Sequence, residues 1–589
     1  MKKKLISFVL GTFVFLFIGI VFPQANKEEA KFAKILETYF DEMWKFYPSA
    51  GTLAGYYKYN DKLEDLEAGN IEKRLEALDN FNKELMIKVN RSGLSPESQR
   101  DFELIRDTIE LETLKHENII PWDYNPIFYN DIILNSIQSL LTKNFAPLDA
   151  RVKSATERAK KLPDLLKQAR TNLKTPPQIF TETAIQQFEA ILNFYRNEVP
   201  GLVENASADG KSKFQAEMAK VLAALEEYKR FLQNELRAKS TGNFRLGPEV
   251  HTRLLQLKGQ SNLLLDELNS RADADYNNLR REMVLVCMPF YRIMYPNINM
   301  EALSTQYKEE DLRNIFIKGV LDKIKGDHVA RGEYINRIRT SADEIKNFIA
   351  KNNLLEMPAA NLAIEPMPAG LRGPTLYHHL TPPLYEADGS YICQIPPIPD
   401  EWTNEQAESF LEENNNFYLY FWTIKRVYPG PFFPLYFTRK NSSLVQKLYP
   451  NQPLIKGWPL CLEEMFINAG FGNYDLRLRL NQLKLMLKAV IDFKLELNIH
   501  QGTMTKEQAV AYMTRGGFQT PAEADRKWNA ICLNPGEAAY AYIGFQEILD
   551  LEKEYRKLKG DAFDQKEFLQ KLLRFGALTF RFLKTSVLQ

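Results

Sequence analysis

Between Phe421 and Met465 the chain reads FWTIKRVYPGPFFPLYFTRKNSSLVQKLYPNQPLIKGWPLCLEEM, and this stretch gathers the residues best suited to chemistry. Lys425 and Arg426 are adjacent cations, and Lys456 is a third. Clustered cations attract carboxylates, so they could draw an anionic ligand. They could equally form internal ion pairs with Glu463, Glu464 or Glu496. Hydrolysis without a metal would need a nucleophile and a base, and no G-x-S-x-G or Cys-His signature is present. A zinc site assembled from Glu463, Glu464, Glu496 or His500 would be rich in carboxylates, which hold zinc poorly compared with imidazoles. His378 and His379 are adjacent, and in an extended segment they would point to opposite faces rather than share an ion. His251 has no second histidine or acid at ligand spacing and reads as a packed or solvent-facing residue. Cys287, Cys393, Cys461 and Cys532 lie far apart with no C-x-x-C pair and read as buried thiols.

The elements that must position these groups are mostly helices. Phe32, Ile35, Leu36, Tyr39, Phe40, Met43 and Trp44 recur every three or four residues and predict a first amphipathic helix, ended by Pro48 and Gly51. Similar patterns predict helices over Ile71 to Met86 and Ser98 to Leu114. Residues 150 to 350 read as helical almost throughout, with an apolar stripe through Phe214, Met218, Val221, Leu222, Leu225, Tyr228, Phe231 and Leu232. Short breaks fall at Thr175-Pro176-Pro177 and Thr241-Gly242-Asn243. Nine prolines cluster between Glu356 and Asp400. Within that segment, Asp388-Gly389 lies between two strand-like runs from Pro383 to Ile395 and predicts a β-hairpin. The hairpin is either a structural flap or an edge to which an extended peptide could add. Thr505 and Gln508 have capping-box spacing.

Length and charge narrow the function. A chain of 589 residues with 45% hydrophobic content can bury a large core. Its net charge of +1 argues against a nucleic-acid or polyanionic partner. Lys2-Lys3-Lys4 followed by the apolar run Leu5 to Phe22 resembles an export signal, with cleavage after Ala25. Pro23 fits poorly three residues before that point, and the run could also span a bilayer as an uncleaved anchor. No cysteine lies near the signal, which excludes a lipoprotein anchor.

Lys425-Arg426-Val427-Tyr428-Pro429-Gly430-Pro431-Phe432 and Lys456-Gly457-Trp458-Pro459-Leu460-Cys461-Leu462-Glu463 resemble the two signature motifs of the bacterial domain-of-unknown-function family eight-eight-five. In that family the first usually reads His-Glu-x-Tyr-Pro-Gly-His-His and the second Glu-Gly-Trp-Ala-Leu-Tyr-x-Glu. The resemblance continues in YFDEMWKFYPSAGTLAGYYKYNDKLED, FRLGPEVHTRLLQL, DELNSRADADYNNLRREM and the stretch from Asp475 to Met513. It also includes PGEAAYAYIG (Pro535 to Gly544) and FDQKEFLQKLLRFGAL. The turn and packing residues match: Pro429, Gly430, Gly457, Trp458, Pro535, Gly536, Gly544 and Gly576. The chemical positions do not. Lys425, Arg426, Pro431, Phe432 and Lys456 replace ligand and general-base positions, Glu496 and Leu569 stand where histidines are usual, Gln570 follows in place of Asp, and Ala541 replaces a tyrosine.

The resemblance implies a mainly α, helical zincin-like fold around a deep groove, with one small β-hairpin. It would form a single domain over residues 26–589, after a signal or anchor at 1–25. That domain would have an N-terminal helical part (26–355), a Pro-rich segment (356–400) and a C-terminal part (401–589). It further implies an exported pseudo-peptidase that has lost the zinc of its family and takes a peptide or peptide-like ligand. The groove would be lined by Lys425, Arg426, Tyr428, Lys456, Trp458, Glu463, Tyr540 and Tyr542. The alternative is an active metallopeptidase or other hydrolase using different ligands. Contact with a membrane is expected only through residues 1–25, if these are retained.

Overall fold

A computed structural model describes residues 27–261, 263–368, 377–386 and 389–588. These are mainly helical, with one small sheet among the described residues. Helix α1 (Lys27–Phe46) buries Phe32, Ile35, Tyr39, Phe40, Met43 and Trp44, the face its spacing marks. Pro48 ends α1 but also opens a further short helix, Pro48–Ala54, because a first-turn proline gives up an N–H that has no helical partner. Gly51 therefore lies inside a helix, and left-handed Gly55 supplies the stop. Helices α2 (Ala68–Lys88) and α3 (Pro96–Leu114) follow as predicted, and the Ser95 hydroxyl caps α3 by accepting the Ser98 N–H at 3.2 Å.

Three of the helices that follow, α4 (Leu148–Asn172), α5 (Gln178–Asn193) and α6 (Ala208–Arg230), share an apolar cluster that includes Val152, Leu162, Phe188, Phe214, Val221 and Tyr228. A larger cluster extends from Met283 to Val587. The N-terminal helices are tied to the C-terminal part, since Val445 belongs to the cluster of α1 and α3. Buried Asp101 on α3 accepts hydrogen bonds from Ser443 and Gln446, both at 2.7 Å. Further helices are α7 (Pro248–Gly259) and α8 (Leu265–Met294). All four cysteines are free thiols, and Cys287, Cys393 and Cys532 are buried.

The Pro-rich segment forms a three-stranded mixed sheet that includes an antiparallel pair of consecutive strands, the first of them lying upstream of the expected start at Pro383. Strands β1 (Leu362–Pro366), β2 (His378–Leu380) and β3 (Tyr391–Ile395) lie in the order β1-β3-β2, with β1 parallel and β2 antiparallel to β3. The expected partner strand after Pro383 is a pinned loop, because Pro382 and Pro383 cannot donate to a ladder. Arg439 donates to the carbonyls of Pro383, Leu384 and Glu386. The Trp44 indole N–H donates to the Tyr385 hydroxyl at 2.9 Å, tying the loop to α1. Asp388 lies outside the described residues.

The C-terminal part holds α9 (Asn416–Arg426), α10 (Phe432–Lys440), α11 (Gln452–Asn468), α12 (Leu476–His500), α13 (Pro521–Leu533), α14 (Tyr540–Lys559) and α15 (Gln565–Leu573). The Thr505–Gln508 capping box forms, with bonds of 2.9 and 3.3 Å. Helices α11 and α14 cross backbone to backbone. A Cβ on Gly457 would lie 2.3 Å from the Gly544 carbonyl carbon, and one on Gly544 would lie 1.7 Å from the Pro453 oxygen. This crossing brings the turn before α14 against Lys456 on α11, and so shapes the site. No helix among the described residues is long and apolar enough to cross a membrane, and the predicted signal at 1–25 lies outside them.

Candidate functional site

Helices α9, α12 and α13 each present polar or aromatic residues four apart to a common cleft of about 620 Å³. Helix α9 contributes Tyr418, Trp422 and Arg426, with Lys425 beside them; α12 contributes Lys488 and Asp492; α13 contributes Glu523 and Lys527. The fourth wall is the turn Pro535 to Ala538, joined by Lys456 of α11 and Lys258 of α7. A second cavity of about 420 Å³ adjoins the first, sharing Lys258 and Glu537 with it, and reaches Lys115, Tyr449 and Tyr540.

Glu496 holds the fourth wall. It is fully buried on α12, accepts the Gly536 N–H at 2.7 Å and the Ala538 N–H at 3.3 Å, and meets His251 Nε2 at 2.8 Å. The His251 and His500 rings stack 5.0 Å apart, and His500 Nε2 donates to the Ile531 carbonyl at 3.0 Å. Burial lowers the His500 pKa. His251 is thus a packed histidine, with an acid partner far away in sequence.

The cleft is cationic. Seven of its lining side chains are Lys or Arg and four are Glu or Asp, and each acid has its own partner. Lys456 pairs with Glu537, Lys488 with Glu523 at 2.6 Å, Arg526 with Glu413 at 3.1 Å, and Lys527 with Asp492 at 2.6 Å. Three cations have no such carboxylate. Lys258 donates to the Pro535 carbonyl at 3.2 Å. Arg426 donates to the Tyr377 hydroxyl at 3.0 Å and lies over that ring. Lys425 has no hydrogen-bonded acceptor among the described residues, and burial followed by the neighbouring Arg426 lowers it to about 8. Behind Lys425, Glu463 is fully buried with neither carboxylate oxygen hydrogen-bonded, and burial raises it well above the carboxylate range.

These pairings correct the ion pairs expected from sequence. Lys456 finds Glu537, Arg426 finds Tyr377, Glu464 pairs with Arg479 at 2.6 Å, and Glu496 serves His251 and backbone amides. Of the eight expected groove residues, Lys425, Arg426 and Lys456 line the cleft, and Tyr540 lines the adjoining cavity under the Lys456 ammonium. Tyr428 is buried with its hydroxyl on the Met357 sulfur, Trp458 is fully buried, and the Tyr542 hydroxyl donates to Asp275 at 2.8 Å. Among the substituted motif positions, Pro431 and Phe432 sit in the aromatic core beside Tyr391 and Tyr436. Leu569 lines a separate cavity with Phe433 and Trp458, and Ala541 packs near Leu460 and Phe545. His379 Nε2 meets the Arg426 carbonyl at 2.7 Å, while His378 is exposed on the same strand.

Sequence reading missed Lys258, Glu413, Tyr418, Trp422, Lys488, Asp492, Glu523, Lys527 and Glu537. A signal was available. Lys484, Lys488, Asp492, Glu496 and His500 form an unbroken stripe at four-residue spacing, and from Leu485 onward the rest of the helix is apolar apart from Lys494 and Asn498.

Among the described residues no group of three or more His, Cys, Asp or Glu is arranged to hold a metal.

Glu523 gives the site a pH signature. Burial works to raise its pKa, but Lys488, Lys527 and Lys484 outweigh it and hold the carboxyl down to about 2, from an ordinary 4.5. A carboxylate with a depressed pKa contributes stability that is fully present above pH 4.5 and is lost as pH falls toward 2. The urea midpoint should therefore drop across that window in the parent protein and drop less in Glu523→Gln. Equal slopes in the two proteins would remove Glu523 from the acid response.

The fold and the cleft define a class: a large, mainly helical protein with a cleft whose walls carry more cations than acids. The chain belongs to the family described as bacterial protein of unknown function (DUF885), which it matches over residues 48–587. It is similar to a solved protein of unknown function from Shewanella oneidensis, provisionally described as a lipoprotein. That similarity has 25% identity and a TM-score of 0.80, and covers 95% of this chain and 100% of the other. A second provisionally described lipoprotein, from Colwellia psychrerythraea, shares 14% identity with a TM-score of 0.75, over 95% of this chain and 98% of the other. Comparison with curated proteins gives no match.

Proposed function

We propose that this protein is an exported, catalytically inactive relative of zincin-like peptidases that binds a peptide or peptide-like ligand in its groove. The observation that carries this reading is the placement of Lys425, Arg426 and Lys456. They stand at the motif positions where the family resemblance puts ligands and a general base, and all three line the cleft. A cation there repels a metal ion and, while charged, takes no proton from bound water. The groove itself has the size of a site for a short peptide. Strand β2 forms an edge of the sheet beside Tyr377 and Arg426, within reach of an extended ligand.

Export is supported by the signal-like residues 1–25 and by the description of both solved relatives as lipoproteins. The groove, the sheet and the helices that join them constitute one domain in this reading.

The test is the metal content of the purified mature protein after exposure to zinc and removal of the excess, together with an assay of peptide hydrolysis. Zinc well below one per chain and no cleavage are expected. One tightly held zinc per chain, with hydrolysis that a chelator abolishes, would overturn the reading.

A further inference from the structure

We propose that the Lys425–Arg426 end of the cleft captures the free C-terminal carboxylate of a peptide, which deepens the binding function proposed above and rests on it. The argument starts from the charge balance. Every carboxylate lining the cleft is matched to a Lys or Arg, whereas the two cations at the end of α9 face the same space with no carboxylate in direct contact, the buried Glu463 acting on them through space from behind. Arg426 is held by Tyr377, itself a lining residue of the cleft, whose ring and hydroxyl fix the guanidinium plane. A guanidinium so fixed suits the two parallel N–H···O bonds of a carboxylate. Lys425 adds an ammonium whose donors are unspent among the described residues.

Beside the Lys527–Asp492 pair, the cleft also offers apolar and aromatic surface from Tyr418, Trp422, Leu485 and Ile531. That surface suits a side chain attached next to the carboxylate, and the volume of about 620 Å³ admits a few residues rather than a single small anion.

Binding should carry a proton signature. The groups facing Lys425 are Arg426 on its own helix, Glu463 on α11, Asp492 on α12 and Lys527 on α13. Burial and Arg426 push the empty-site ammonium down to about 8, and an arriving carboxylate favours the charged form. The complex should therefore take up a proton when formed near pH 8 and weaken as pH rises above it.

The experiment uses calorimetry on the full mature chain. The probes are acetylated tetrapeptides ending in Ala, Leu, Phe, Tyr, Lys or Glu, each as the free acid and as the C-terminal amide, together with inorganic phosphate. The best acid should bind at least about tenfold tighter than its amide. Its heat should depend on the buffer's ionisation enthalpy at pH 8, and phosphate should compete only weakly. Lys425→Met should remove the preference for acid over amide and the proton uptake. If that variant fails to fold, the double variant Lys425→Met with Glu463→Gln, neutral at both buried positions, serves instead. Equal binding of acid and amide would overturn carboxylate capture while leaving peptide binding intact. Phosphate binding tighter than any peptide acid would overturn it in favour of a phosphate site. Failure of every peptide, acid or amide, would overturn both this inference and the binding function on which it rests.

Discussion

Gly544→Ala is expected to destabilise the protein by about 3 kcal/mol or more, a large part of the roughly 5–15 kcal/mol that holds a typical fold together. The added methyl would sit 1.7 Å from the Pro453 carbonyl oxygen, and the partner Gly457 offers no side chain that could move aside. Relief requires α11 and α14 to separate. That would also draw the Pro535–Ala538 turn away from Lys456 and open the cleft wall. A urea titration followed by circular dichroism measures the effect, with Gly69→Ala as control. Gly69 lies in the first turn of α2, and a Cβ there would touch nothing within 4 Å. Alanine at that position should gain up to about 1 kcal/mol through helix propensity. Matching midpoints for the parent and Gly544→Ala would show that the crossing tolerates a methyl and that its closeness has no energetic weight.

Glu496→Ala should cost about 3 kcal/mol and should weaken ligand binding as well. The substitution strands the Gly536 amide and the His251 ring nitrogen in buried surroundings and takes the acceptor from the partly buried Ala538 amide. Glu496→Gln keeps one acceptor oxygen and should fall between the parent and the alanine variant. Because the carboxylate acts on the wall rather than on the ligand, peptide acid and peptide amide should lose affinity together. Lys425→Met, by contrast, should act on the acid alone. A Glu496→Ala protein with unchanged stability would mean that the turn is held by something other than this carboxylate.

Much of the fold is legible in the sequence because its determinants are local. The face of α1, the helices through Ile71 and Ser98 and the Thr505 capping box all follow from contacts between residues three or four apart. The sheet is not legible in this way. Parallel pairing of Leu362 with Tyr391 joins residues that no turn signal connects, and the Asp388-Gly389 signal competes with prolines that cannot enter a ladder. The site divides along the same line. Lys425, Arg426 and Lys456 stand out from the chain as charges in apolar surroundings. Their partners do not, because proximity in sequence favours Glu463 and Glu464, whereas the crossing at Gly457 and Gly544 delivers Glu537 to Lys456. Tyr377 reaches Arg426 from the far side of the Pro-rich segment by an equally non-local route.

The stripe from Lys484 to His500 has a consequence for how this family can vary. Each residue of an α-helix advances about 100° round the axis. A single insertion or deletion within α12 would therefore rotate all the later members of the stripe together into apolar neighbours and bring leucines and isoleucines to the cleft. Point substitutions along α12 can be tested by evolution singly, but changes in its length cannot. Relatives that keep this groove should keep the spacing of that helix intact, and their length differences should fall in the loops that flank it.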